Sequence, residues 1–133
     1  MFVATEIVFA VSSLYWIKDI KKFVDRGEKI RLITDFSYKY IESVQQHLDI
    51  GVDVRQLTGY QGILFAVYDR KTSQSVINAD IRRVSLNEPL SILWTDNPIY
   101  ANYLASTFEL LWEQAIPAAQ RIEELLKEGQ PDV

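Results

Sequence analysis

Ser91-Ile-Leu-Trp-Thr-Asp-Asn-Pro98 is the stretch on which the fold turns. Ile92, Leu93, Trp94 and Thr95 are strand formers, and Asp96-Asn97-Pro98 reads as a turn that opens a helix. Asn97 can accept from the free N–H groups of a first helical turn. Pro98 at the first helical position lacks a donor that would be orphaned there anyway. Downstream, Tyr100, Leu104, Phe108, Leu111, Trp112 and Ala115 share one stripe at helical spacing. Pro117 interrupts that helix. A second amphipathic piece, with Ala119, Ile122, Leu125 and Leu126 on a narrow stripe, carries on to Gly129.

Outward from this unit, strand-like and helix-like runs alternate, which predicts an α/β domain with a mixed, largely parallel β-sheet flanked by helices. Glu6–Val11 reads as a first strand. Ser12 and Ser13 read as caps of a helix carrying Leu14, Ile17, Ile20, Lys21 and Val24 to Gly27. Lys29–Thr34 is a second strand, and Asp35 or Ser37 starts a helix through Leu48 that Gly51 closes. Val52–Leu57 is a third strand. The apolar run Ile63–Tyr68 predicts a central strand buried on both faces. Asp69–Gln74 reads as a polar turn, Ser75–Ile81 as the antiparallel return, and Asn87-Glu88-Pro89 as a loop into Leu90–Thr95. No repeat, low-complexity tract or internal linker interrupts residues 1–115.

Composition removes several function classes. The chain has 133 residues, 48% of them hydrophobic, enough for one domain with a real core. A net charge of −4 argues against a nucleic-acid backbone as partner, which needs a basic patch. The absence of Cys excludes disulfides, thiolate metal sites and Cys nucleophiles, and fits a cytoplasmic protein. Phe2–Val11 is apolar but contains Glu6, lacks the form of a leader and is far shorter than the roughly 18 residues of a membrane span. It is expected to be a buried strand, and the abrupt start in apolar sequence reads as a boundary other than a natural beginning.

Catalytic residue types are sparse. His47, the single His, reads as a partly exposed helix residue with no second ligand beside it. No GxSxG elbow is present, and Gly59-Tyr-Gln-Gly62 is not a phosphate loop. Binding crevices of sheets with parallel strands lie outside the strand carboxyl ends. The residues expected there are Thr34, Asp35, Leu57 to Tyr60, Thr95 and Asp96. Tyr60, on a Gly-flanked loop, can stack on a ligand and hydrogen-bond through its hydroxyl, or pack on the sheet edge as an ordinary loop aromatic. Arg31 and Arg55 could reach anionic groups, or simply face solvent from their strands. Arg82-Arg83 reads as a solvated strand end.

The order Ile30-Arg-Leu-Ile-Thr-Asp35, a helix closed by glycine, Val52-Asp-Val-Arg-Gln-Leu57, Ile63-Leu-Phe-Ala-Val-Tyr-Asp69, Leu93-Trp-Thr-Asp-Asn-Pro98 and Phe108–Ala115 resembles the phospholipase D-like fold. It is most similar to the non-catalytic sensor domains of archaeal signalling proteins, such as regulators of the TrmB type and histidine-kinase-linked domains. Those end in a helix like Ala115-Ile-Pro-Ala-Ala-Gln-Arg-Ile122, and the resemblance spans Ile30 to Leu126. Catalytic members carry HxKxxxxD, in which His forms a covalent phosphoryl intermediate and Lys holds phosphate charge. Aligned on Asp69, the His position is Gly62 and the Lys position is Leu64, so no catalytic residue carries over.

The resemblance implies a cytoplasmic sensory or regulatory domain (1–116) with a C-terminal connecting helix (117–133). It would bind a small molecule or partner, need no cofactor, form a homodimer through that helix, and pass its signal to an adjoining output domain. Contact with nucleic acid or membrane is not expected. A divergent metal-dependent phosphodiesterase is the alternative, with Asp35, Asp69 and Asp96 as oxygen ligands to a hard cation.

Overall fold

The computed structural model describes residues 1–80 and 87–129. The chain runs β1 (Phe2–Val3), α1 (Ile7–Tyr15), α2 (Ile17–Asp25), β2 (Arg31–Thr34), a 3-10 turn (Tyr38–Tyr40) and α3 (Ile41–Asp49). It continues β3 (Asp53–Gln56), β4 (Ile63–Tyr68), β5 (Thr72–Asp80), β6 (Ile92–Thr95), α4 (Pro98–Gln114), β7 (Ile116–Pro117) and α5 (Ala118–Glu128). The strands form one sheet in the order β6-β5-β4-β1-β2-β3-β7. This is the expected mixed α/β architecture, but antiparallel pairings dominate it. Only β1–β2 and β2–β3 are parallel, and β4–β1, β4–β5, β5–β6 and β3–β7 are antiparallel.

Strand alternation sorts the core into two layers. The register Val3↔Ile33, Ile33↔Arg55 and Val3↔Phe65 sets these residues on one face with Arg31 and Val67. Helix α4 covers it, burying Ala101, Leu104, Ala105, Phe108 and Trp112 against Val3, Ile33, Phe65 and Val67. Tyr100 and Leu111 flank that stripe, as the spacing predicts. The opposite face, with Leu32 and Val54, closes against Phe9 of α1, Val44 of α3 and Ala118, Ile122 and Leu125 of α5.

Helix α4 starts and stops for identifiable reasons. The Asn97 side chain accepts from the N–H groups of Ile99 and Tyr100 at 2.9 and 3.3 Å, the cap expected from the sequence. At the other end, Arg55 donates to the Trp112 carbonyl at 2.8 Å, satisfying an acceptor in the last turn. Its guanidinium lies 4.3 Å from the Trp112 ring centroid. Arg31 grips Glu109 through both terminal nitrogens and stacks on Phe108 and Trp112 at 5.1 and 5.3 Å. The two strand arginines are therefore neither idle at the surface nor free for a ligand. They pin α4 to the sheet.

Several expected elements change. Glu6–Val11 is not a strand: the only strand there is Phe2–Val3, and α1 begins at Ile7. A continuously apolar run carries no periodicity to separate strand from helix. Ser12 and Ser13 consequently sit inside α1 rather than capping it. The chain after Asp35 enters a 3-10 turn, and α3 starts only at Ile41. The turn after β4 is tighter than expected. Asp69 and Arg70 both adopt positive φ (53° and 55°) and Lys71 N–H bonds the Tyr68 carbonyl at 3.0 Å, so a three-residue connection pairs Tyr68 with Thr72 and β5 starts at Thr72. Ile81, Arg82 and Arg83 lie outside the described residues.

Pro117 does more than break a helix. Ile116–Pro117 pairs with β3 as the sheet's last strand, an edge position that tolerates a residue without an N–H. This edge strand turns α5 onto the second face, where Ala118, Ile122 and Leu125 are buried. The stripe expected to be covered by a second copy is thus covered by its own domain, with Ala118 replacing Ala119 and Leu126 left exposed.

Trp112→Ala is expected to cost about 3–5 kcal/mol in urea melts, since it empties the first core and strips two arginines of their aromatic platform. A loss under about 1 kcal/mol would contradict that placement. Ile122→Glu is expected to lower the melting midpoint at every protein concentration, because its burial is intramolecular.

Candidate functional site

Strand direction divides the expected site. Thr34 and Asp35 follow the carboxyl end of β2, and the β4 end nearest them is Ile63, close to Tyr60. The antiparallel pairing Ser73↔Thr95 sets Thr95 and Asp96 beside the start of β5, at the opposite end of the sheet. Asp69 lies at that second end too, in the β4–β5 turn. Among the described residues no three His, Cys, Asp or Glu side chains are grouped to hold a metal ion. The Asp35–Asp69–Asp96 set for a metal-dependent hydrolase is therefore not assembled.

At the carboxyl end, Thr34 is buried and Asp35 and Tyr60 are hydrogen-bonded within the fold. Gln56, on β3 and fully buried, accepts from Phe36 N–H at 3.0 Å and donates to Asp35 and to Thr58 Oγ1, the latter at 3.1 Å. This amide staples the loops after β2 and β3 together. Glu6 accepts from the Ser37 N–H and hydroxyl at 2.7 and 3.0 Å, joining the start of α1 to the same loop. Thr34 is wholly buried and its hydroxyl has no hydrogen-bond partner among the described residues. Tyr60 donates to the Ile63 carbonyl at 2.9 Å, and burial pushes its phenol pKa up. At the far end, Thr95 Oγ1 accepts from Asn97 N–H at 3.1 Å as part of the helix entry, and Asp96 is exposed.

Tyr60 also explains Gly62. A Cβ at residue 62 would overlap the Tyr60 ring and hydroxyl, so any side chain there displaces the tyrosine from its loop. Leu64, two residues on, is buried.

The opening lies at the amino ends of β1 and β2. A broad groove there runs between α2 and the β4–β5 turn, with Trp16, Ile20 and Phe23 on one wall and Tyr68, Asp69 and Arg70 on the other. Its floor includes Phe2 and Arg31. Tyr68 stands edge-on to Phe2 at 5.7 Å between centroids, which fixes the aromatic wall. Gly51 allows α2 to approach: its φ is +99°, and a Cβ would come within 2.8 Å of Val24 Cγ1. Arg70 is steadied by Asn102 at 2.9 Å and faces Glu109 at 3.5 Å. The Arg31 fork holds the Glu109 carboxyl below the usual carboxylate range. Sequence reasoning misses this groove because Glu6–Val11 reads as a strand and residues 12–27 as one helix, where the chain forms α1 and α2 with a break at Trp16. The available signal was Trp16 and Phe23 among the charges of Lys18–Asp25.

His47 is buried rather than partly exposed. Its Nδ1 lies 2.7 Å from the Ser43 carbonyl, which can only accept, so Nδ1 carries the proton. Nε2 then accepts from the Ser12 hydroxyl at 2.8 Å. The ring packs edge-on against Phe9 at 5.0 Å. A Ser–His pair with this geometry could in principle activate a nucleophile. Both residues are closed off from solvent inside the second core, and the pair ties α1 to α3.

Family models, curated proteins and solved structures were all compared with this chain, and none matches. The functional reading therefore rests on the residues themselves.

Burial lowers the His47 pKa from its ordinary 6.5. The unfolded chain then binds more protons than the folded one as pH falls below about 6.5, so stability present above that pH drains away on acidification. The urea midpoint is expected to drop between pH 7.5 and 5.5. His47→Gln should flatten that slope while costing about 1–3 kcal/mol at pH 7.5, since Ser12 loses its acceptor. Equal slopes in the two proteins would exclude His47 as the titrating group.

Proposed function

We propose that this chain is a non-catalytic sensory or regulatory domain that takes a small molecule with an apolar body in the groove between α2 and the β4–β5 turn. The observation that carries the reading is the Tyr60 ring over Gly62. On the resemblance to the phospholipase D-like fold, the position of the nucleophilic His is Gly62, over which the Tyr60 ring lies, and the Lys position is the buried Leu64. The imidazole that would carry a phosphoryl group is missing there, and the Tyr60 hydroxyl donates to the Ile63 carbonyl with its pKa raised by burial, which makes it a poor nucleophile. Mixed aromatic and charged walls suit recognition of a ligand's shape and polarity.

Transmission through the C-terminal helix has a packing basis. Phe2, Ile20, Val24 and Ile30 line the groove and also pack against the core cluster that contains Ala118, Ile122 and Leu125 of α5. A ligand that moves α2 presses on the same layer that seats α5. An adjoining output domain would read that movement.

Two measurements test this. Incubation with bis(p-nitrophenyl) phosphate, with and without Mn²⁺, is expected to release no more nitrophenol than a buffer blank. Turnover abolished by a point substitution in this chain would sink the non-catalytic reading. A metabolite panel read by Trp fluorescence and thermal shift is expected to yield a binder whose effect disappears in Trp16→Ala. In amide exchange that binder should slow α2 and α5 together; slowing of α2 alone would remove α5 as the output element.

A further inference from the structure

The last strand on the other side of the sheet is β6, and its chemistry is unusual for an edge. Ile92, Leu93 and Trp94 are 55%, 46% and 56% exposed. Ser91–Thr95 contains no charge and no proline, and the β5–β6 register carries no bulge. Edge strands of monomeric proteins carry such guards because bare backbone and apolar side chains invite another strand.

The register shows which groups are free. Ile77 N–H bonds the Ser91 carbonyl at 2.9 Å, so Ile77 and Ser91 are a hydrogen-bonded pair. Antiparallel pairs alternate, so Leu93 and Thr95 also turn their backbone groups toward β5. Ile92 and Trp94 turn theirs outward. An antiparallel strand crossing at Leu93 satisfies all of these: Ile92 pairs with Trp94 of the incoming strand and Trp94 with its Ile92.

That incoming strand is β6 itself. We infer that this edge joins a second copy of the chain about a two-fold axis through Leu93, extending the sheet across both molecules. The pairing is isologous, so every donor meets an acceptor from an identical segment. Ile92 packs beside Trp94 of the second copy on one face, and the two Leu93 side chains meet on the other, where Ile77 is also exposed. Charge agrees with the axis. Ser91–Thr95 carries no charged side chain, so two chains of net charge −4 meet along this strand without facing like charges. This interface lies at the opposite edge of the sheet from β7, and it is separate from the α5 contact and from the groove reading.

Sedimentation across a hundredfold concentration range is the test. The wild-type chain is expected to dimerise. Leu93→Lys, which sets two ammonium groups together on the axis, should sediment as a monomer at least tenfold beyond the wild-type midpoint with an unchanged thermal melt, because Leu93 is exposed in the single chain. Residue-resolved amide exchange supplies a second measurement. Ile92 and Trp94 amides should gain protection as concentration rises, whereas Leu93 and Thr95 amides, already bonded to β5, should not change. A wild-type monomer throughout, a dimer indifferent to Leu93→Lys, or Ile92 and Trp94 exchange independent of concentration would each overturn the inference.

Discussion

Trp112 is the constraint on which the structure depends. It is stacked on Phe108 at 5.6 Å between centroids and carries Arg55 and Arg31 against its ring. Parallel register puts both arginines on the sheet face that α4 must cover. A guanidinium under a helix is tolerable only when its donors and its flat face find partners. Glu109, the Trp112 carbonyl and the indole provide them. This fixes where α4 ends, and the end of α4 fixes the path of the chain beyond it. The chain arrives beside β3, adds β7 to that edge, and passes to the opposite face as α5. One aromatic anchor thereby orders a helix, an edge strand and a second helix in succession.

The parts of this fold that could be read from sequence are those where local chemistry and tertiary packing agree. Asn97-Pro98 opens α4 as its side chains require, and Phe108, Trp112 and Leu104 face inward as their spacing indicates. Ile63–Tyr68 lies inside the sheet with its four middle residues buried. Where chemistry was locally degenerate, reading failed. Ile7–Tyr15 has no charge to mark an outer face, so helix and strand look alike. Asp69-Arg70 adopts left-handed conformations without glycine or asparagine, and nothing local announces so short a turn. The destination of α5 was hidden for another reason. Its stripe says that something must bury it, and only the position of β7 says what.

The candidate residues are divided between the two ends of the sheet. Thr34, Asp35 and Tyr60 were chosen because open α/β sheets bind ligands beyond strand carboxyl ends. In this chain that end is stitched shut by Gln56, Glu6 and the Tyr60 loop. Only three strands run parallel, so the rule had little sheet to act on, and antiparallel β6 carries Thr95 and Asp96 to the other end. The recess opens where the helix α2 diverges from the β4–β5 hairpin, and its walls come from elements that sequence spacing cannot bring together.

The groove and α5 share one layer, the second core, and the function proposed above depends on that shared contact. Dense packing does not yield gradually: a wall shifted by a ligand is accommodated where neighbouring side chains have another arrangement. Around α2 the contacts are loose, with no residue of Ile17–Asp25 buried, whereas α5 buries Ala118, Ile122 and Leu125. In the function proposed above, α2 would be the element that responds to a ligand and α5 the one that carries the response out of the domain. Gly51 permits this arrangement, since its missing side chain lets Val24 sit close enough to pack on the second core.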